Sequence, residues 1–298
     1  MSWNDVLDEI NEAGSTFDIT RRKYLKALSE KTGRNTVAYY SGWLQKPGLP
    51  PSSVIIQDND KNGFMASFKS LDSEKGLDLI LHTPGGDIAA TESLIEYFRS
   101  KFGSDIRAIV PQLAMSGGTL IACSCKTILM GKHSSLGPID PQINGVPAHG
   151  IIDEFEQAAA EIRVDPTKVA VWQPIIAKYN PTLIGECKKA MEWSHEIARE
   201  SLKNVMFQGD EPEVEVNATI DSIVETLGDH VITKSHSRHL SADKCEEIGL
   251  KIEKIEEDQE LQNAILSVHH AFIHSLSSTQ AVKIIENQDG KAFIQTAN

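Results

Sequence analysis

Between residues 77 and 130 the chain alternates short apolar runs with glycine-bearing breaks and helix-length stretches. Leu77 to His82 (LDLILH), Ile106 to Val110 (IRAIV) and Thr127 to Met130 (TILM) are too short for helices. They are also too continuously apolar for a sheet with one wet face, so each predicts a strand buried on both sides. Asp87 to Phe102 places Ile88, Leu94, Ile95, Phe98 and Phe102 at helical spacing, with Asp87 set to cap its start. Thr119 to Cys125 reads as a second, buried helix. Strand, helix, strand, helix, strand predicts a parallel sheet with right-handed crossovers, and so an α/β fold.

The flanks are read against that unit. Residues 4 to 33 have an interrupted helical pattern, and Val37 to Trp43 (VAYYSGW) is β-branched and aromatic enough for a strand. Residues 44 to 53 form a Pro-rich loop, Val54 to Gln57 a further short strand, and Gly63 to Leu71 a helix. Gly137 to Gly150 is rich in Pro and Gly and predicts a loop. Ile151 to Gln208 is helical in pattern, interrupted near Pro166, Pro174 and Pro181. Ile223 to Leu227 then leads into a polar stretch, Asp229 to His239. Ser241 to Ile248 predicts a short helix capped by Ser241 and stopped by Gly249, followed by a closing strand over Leu250 to Ile255. A helix over Glu260 to Leu276 and a polar tail complete the reading. The domain division expected is an N-terminal helical segment (1–36), one α/β domain (37–255, with a helical arm at 151–208) and a C-terminal helix and tail (256–298).

Charge narrows the partners. With 29 basic against 42 acidic residues, the net charge of −13 repels phosphate backbones and anionic membrane surfaces, and no basic stripe offsets it locally. Neither nucleic acid nor a membrane is expected as a partner. MSWNDVLDEINEAG lacks the basic and apolar regions of a signal peptide, and no window approaches the roughly 18 apolar residues of a membrane span. A cytoplasmic location is the expectation. The four cysteines have no zinc-ligand spacing, and Cys123 and Cys125 lie in an apolar run as small reduced core residues. No metal and no cofactor is expected.

Two glycine turns carry the chemistry. Pro84-Gly85-Gly86 follows one predicted strand and precedes a helix, so its free amides sit at the positive helix end. The spacing fits neither dinucleotide nor P-loop patterns, which leaves a plain turn or an oxyanion hole. Ala114-Met115-Ser116-Gly117-Gly118 follows the next strand. A serine there, among small neighbours, has the logic of a nucleophile elbow, although serine is equally a common helix cap. Both turns open at the carboxyl edge of one sheet, where Gly86 and Gly117 would point two amides at one oxyanion.

LILHTPGGDIAATESLIEYF, followed by AMSGGTLIACSCKTILMGKHSSLGPIDPQ, resembles the serine dehydrogenase proteinase family, distant relatives of the Clp protease subunit and signal peptide peptidase A. The resemblance covers roughly residues 37 to 255. It implies a Clp/crotonase-like fold of repeated ββα units and hydrolysis of peptide bonds. It also implies a Ser, Asp, His order in which Ser116 is the nucleophile, Asp140 the aspartate and His236 the base, with His239 in reserve. Signal peptide peptidases use a Ser-Lys dyad instead, for which Lys168 is the candidate. Each partner has a plainer reading: Asp140 fixes a turn, and His236 is a solvated surface residue. His82 before the PGG turn reads as packing, and His269, His270 and His274 as helix-face residues.

Three functions follow. The first is a serine endopeptidase acting on peptides or unfolded protein through an acyl-enzyme, assembled as a homo-oligomer and served by a separate ATPase, since the chain has no Walker A motif. The second is a catalytically inactive Clp-like scaffold that binds peptides or partners by strand addition. The third is an acyl-CoA enzyme of crotonase type, ranked below the others because the serine turn is a nucleophile feature.

Overall fold

The structure is a computed structural model that describes residues 16–229 and 235–297. The chain opens with α1 (Phe17–Thr32) and β1 (Asn35–Ser41), then α2 (Asp60–Phe68). β2 (Leu77–His82), α3 (Ile88–Phe102), β3 (Ile106–Val110), β4 (Leu113–Ala114), α4 (Gly117–Cys123) and β5 (Thr127–Met130) follow. β6 (Ser135–Leu136) and a hairpin of β7 (Gln142–Ile143) and β8 (Val146–Pro147) lead into an arm of α5 (Ala148–Val164), α6 (Val169–Ile176) and α7 (Leu183–Ser201). Then come α8 (Glu213–Gly228), β9 (Leu240–Ser241), α9 (Ala242–Glu247), β10 (Ile252–Lys254), α10 (Gln259–Ser278), β11 (Ala281–Asn287) and β12 (Ala292–Thr296).

Seven strands form the main sheet in the order β10-β5-β3-β2-β1-β11-β12, parallel from β10 to β1 and antiparallel for the last two. The three apolar runs occupy its centre, buried on both faces as their continuous hydrophobicity requires. Alternate residues divide between two cores. Val37, Leu79, Ala108 and Ile128 face α2, α3 and α4 through Phe64, Leu94, Phe98 and Leu120. Ala38, Ile80, Ile109 and Leu129 face α1 and α10 through Leu25, Leu28, Val268 and Phe272. The result is a mixed α/β molecule with a large, mostly parallel sheet, consistent with a ClpP-like fold. Among the described residues no helix is long and apolar enough to cross a membrane.

Several expectations change. Val54 to Gln57 is no strand: only Ile56 bridges, to Gly86. Gly137 to Gly150 holds the β7–β8 hairpin and the start of α5 rather than loop alone. Pro174 lies inside α6, and α8 begins ten residues before Ile223. The polar tail is instead β11 and β12. β11 is buried along its whole length, and its two charges explain why: Lys283 pairs with Asp60, and Glu286 with Arg21 and Arg22. Charges paired in this way do not exclude a strand from the interior. The helical reading of residues 4 to 15 and the stretch 230–234 lie outside the described residues.

Candidate active site

The two glycine turns are stitched together. Thr83 N–H donates to Leu113 O at 3.0 Å, and Met115 N–H donates back to Thr83 O at 3.0 Å. A Cβ on Gly85 would stand 2.6 Å from Ser116 Cβ, and Gly85 has φ +92°, so this approach admits only glycine. Ser116 occupies the position just before α4 with φ 52° and ψ −115°. That is a strained conformation for a residue with a side chain, of the kind stored at functional turns. Its hydroxyl caps no amide of α4, so the helix-cap reading fails.

Two backbone amides lie close together beside Ser116. Gly117 opens α4, where the first N–H groups have no intrahelical acceptor. The Gly86 N lies 3.4 Å from the position a Gly117 Cβ would take. Ile56 grips this turn from its far side: its N–H donates to Gly85 O at 2.8 Å, and its O accepts from Asp87 N–H at 3.0 Å. Asp87 Oδ1 accepts from Ala90 N–H and caps α3, as the sequence predicts.

Asp140 and His236 are brought together from 96 residues apart, with Asp140 Oδ1 2.9 Å from His236 Nδ1. Asp140 is 2% exposed and the His236 side chain 26% exposed, so the imidazole forms the wet end of the pair. The second carboxylate oxygen accepts from Gln142 Nε2 at 3.2 Å. The backbone before Asp140 is fixed by Ser194 Oγ on Ile139 O at 2.7 Å and by Ile139 N–H on Leu227 O at 2.9 Å. Neither the solvated reading of His236 nor the simple-turn reading of Asp140 describes this arrangement.

Ser116, Gly86, Gly117 and His236 line one cleft of about 430 Å³. Ile55, Leu120, Ile139 and, from α7, Ala190 give it apolar walls. A larger hollow of about 700 Å³ at the β10 edge, around Met206 and Lys251, shares no residue with it. His239 is exposed and outside the cleft lining. Lys168 is exposed in the turn between α5 and α6, donates to Glu161 Oε2 at 3.2 Å, and is likewise outside the lining. His82 is fully buried between Tyr40 and Trp43. Burial lowers its pKa to about 3. All four cysteines are free and buried. Gln142, two positions beyond Asp140 in the GPIDPQ segment, is the site residue that the sequence reading passes over.

The chain is 33% identical over 154 residues to an uncharacterized protein of Methanocaldococcus jannaschii, and 29% identical over 206 residues to a second uncharacterized protein of that organism. These alignments take in 51% and 69% of the chain, and it spans 53% and 61% of the relatives' own lengths. The family pattern of the ClpP-like SDH-type serine proteinases matches residues 15–252 and takes in both glycine turns, Asp140 and His236. A match over well more than half of its length makes this chain a member of the ClpP-like SDH-type serine proteinase family.

Proposed function

We propose that the protein is a serine endopeptidase with Ser116 as nucleophile, His236 as general base and Asp140 as its orienting carboxylate. The observation that carries this reading is the strained Ser116, sharing a cleft with two backbone donors and a carboxylate-bound imidazole. Asp140 is acceptor-only when ionised, so this bond takes its proton from His236 Nδ1, and the tautomer that acts as base is the Nδ1–H form. That leaves the Nε2 lone pair for the Ser116 hydroxyl proton. As Ser116 Oγ attacks the substrate carbonyl, its proton passes to His236 Nε2, and buried Asp140 stabilises the imidazolium. Gly86 and Gly117 N–H groups receive the oxyanion, each such donor contributing about 3 kcal/mol to barrier lowering. His236 then protonates the leaving amine, and water repeats the sequence on the acyl-enzyme.

The apolar part of the cleft lining suits the side chains of an extended peptide or unfolded segment. Homo-oligomeric assembly, a separate unfolding ATPase and a cytoplasmic setting belong to the same proposal. One observation favours the inactive-scaffold alternative. Among the described residues no hydrogen bond joins Ser116 to His236. Catalytic hydrogen bonds of unliganded enzymes often tighten only with substrate, so the peptidase reading is preferred. Labelling with a fluorophosphonate, read by intact mass, separates the two. An adduct on the wild type that is lost in Ser116→Ala supports the peptidase. No adduct at any pH supports the scaffold.

A further inference from the structure

Beneath the cleft lies a buried ion pair that the proposed chemistry does not use. Lys283, on β11, is 1% exposed, and its partner Asp60, at the start of α2, is 0% exposed. Lys283 Nζ donates to Asp60 Oδ1 at 2.8 Å and to Oδ2 at 3.0 Å. Tyr39 Oη donates to Asp60 Oδ2 at 2.8 Å. A buried charge pair is weak support for stability in itself, because desolvation offsets most of its attraction. Its other bonds show where it acts.

Lys283 Nζ also donates to Ile55 O at 2.7 Å, and Asp60 Oδ2 accepts Gln57 N–H at 3.0 Å. The pair therefore holds the carbonyl before Ile56 and the amide after it. Ile56 in turn holds the carbonyl before Gly86 and the amide after it, through Gly85 O and Asp87 N–H. A Cβ on Gly86 would lie only 2.7 Å from Ile56 Cα, so there is no slack between the two layers. Residues 54 to 57 have no ladder to fix them, since Ile56 makes a single bridge. Resting on the peptidase reading, we propose that Lys283 and Asp60 are positioning residues that aim the Gly86 N–H at the oxyanion through Ile56. Lys283 comes from a strand beyond residue 252, where the family match ends. The oxyanion wall thus depends on a part of the chain outside the matched region.

The test uses the full chain and a fluorophosphonate, whose phosphonyl oxygen occupies the same hole. Inactivation is resolved into a maximal rate and a half-saturating concentration. The informative variant is the double substitution Lys283→Met with Asp60→Asn, which leaves no unpaired charge buried. Lys283→Met alone serves as a second, harsher variant. Glu286→Gln is the control. It weakens another buried pair on β11, with Arg21, that does not touch Ile56. Displacing one oxyanion donor predicts a maximal rate lower by at least about tenfold, with half-saturation unchanged. Glu286→Gln, compared at equal folded fraction by circular dichroism, keeps the wild-type rate. A double variant within twofold of the wild-type rate overturns the proposal. So does an equal loss in Glu286→Gln, which would make the pair a stabilising element only. A wild type that does not label overturns the peptidase reading, and this inference with it.

Discussion

His82 offers a prediction whose size follows from its surroundings. The imidazole is fully buried against Trp43 and Tyr40, and neither ring nitrogen has a partner among the described residues. Burial disfavours its charged form and lowers its pKa to about 3, against about 6.5 in an unfolded chain. Below pH 6.5 the unfolded chain therefore binds a proton that the folded chain refuses. Stability falls from that point and stops falling only near pH 3. The loss is about 2 kcal/mol at pH 5 and approaches about 5 kcal/mol only below the folded value, at about 1.4 kcal/mol per pH unit between the two. His82→Phe keeps the ring packing and removes the proton. At pH 7.5 it should be neutral or stabilising, because an apolar ring replaces an unpartnered polar one. Urea unfolding of both proteins, at one protein concentration and at pH 7.5, 6.5, 5.5 and 5, reads the difference directly. His270, also held low by burial, titrates in both proteins and falls out of the comparison; His269 is held low first by burial and then by His82 beside it, so the comparison is repeated in a His269→Gln background. The variant should gain about 2 kcal/mol on the wild type between pH 7.5 and 5. Parallel stability curves would refute the reasoning.

Other substitutions probe the site. Asp140→Asn should slow fluorophosphonate labelling by about 10²- to 10⁴-fold, because an amide at that position favours the wrong imidazole tautomer; the labelling rate measures it. Gly86→Ala drives a methyl into the Ile56 backbone and should reduce labelling by about 10²- to 10³-fold, the effect of one lost oxyanion donor. Lys168→Ala should leave the labelling rate unchanged, since Lys168 sits on Glu161 outside the cleft; a slower rate would reinstate a Ser-Lys dyad. The four cysteines are buried, with Cys125 and Cys245 pushed up to about 12 by desolvation. A thiol-disulfide reagent should therefore titrate no thiol in the native protein and all four in denaturant.

What the sequence discloses depends on how far each residue's partner lies. β2, β3 and β5 are legible to the residue because their burial is written in their own apolar runs. α3 is legible because Asp87 supplies its own cap. β11 is not, since Lys283 and Glu286 break its run and their partners lie 223 and 265 residues away. The glycine turns and Ser116 are local features and stand out as such. The pairing of Asp140 with His236 spans 96 residues, so only the resemblance to a family suggests it. Ile56 looks like strand because its side chain is apolar, whereas its structural work is done by the backbone, between Gly85 and Asp87.

The sheet order has a consequence for how the molecule is made. β1 forms near the beginning of the chain, yet one of its two neighbours is β11. Until residues 281–287 have been synthesised, β1 keeps a bare row of donors and acceptors along that side. A nascent or truncated chain ending before Ala281 therefore exposes an adhesive strand edge. The last hairpin is the piece that closes it.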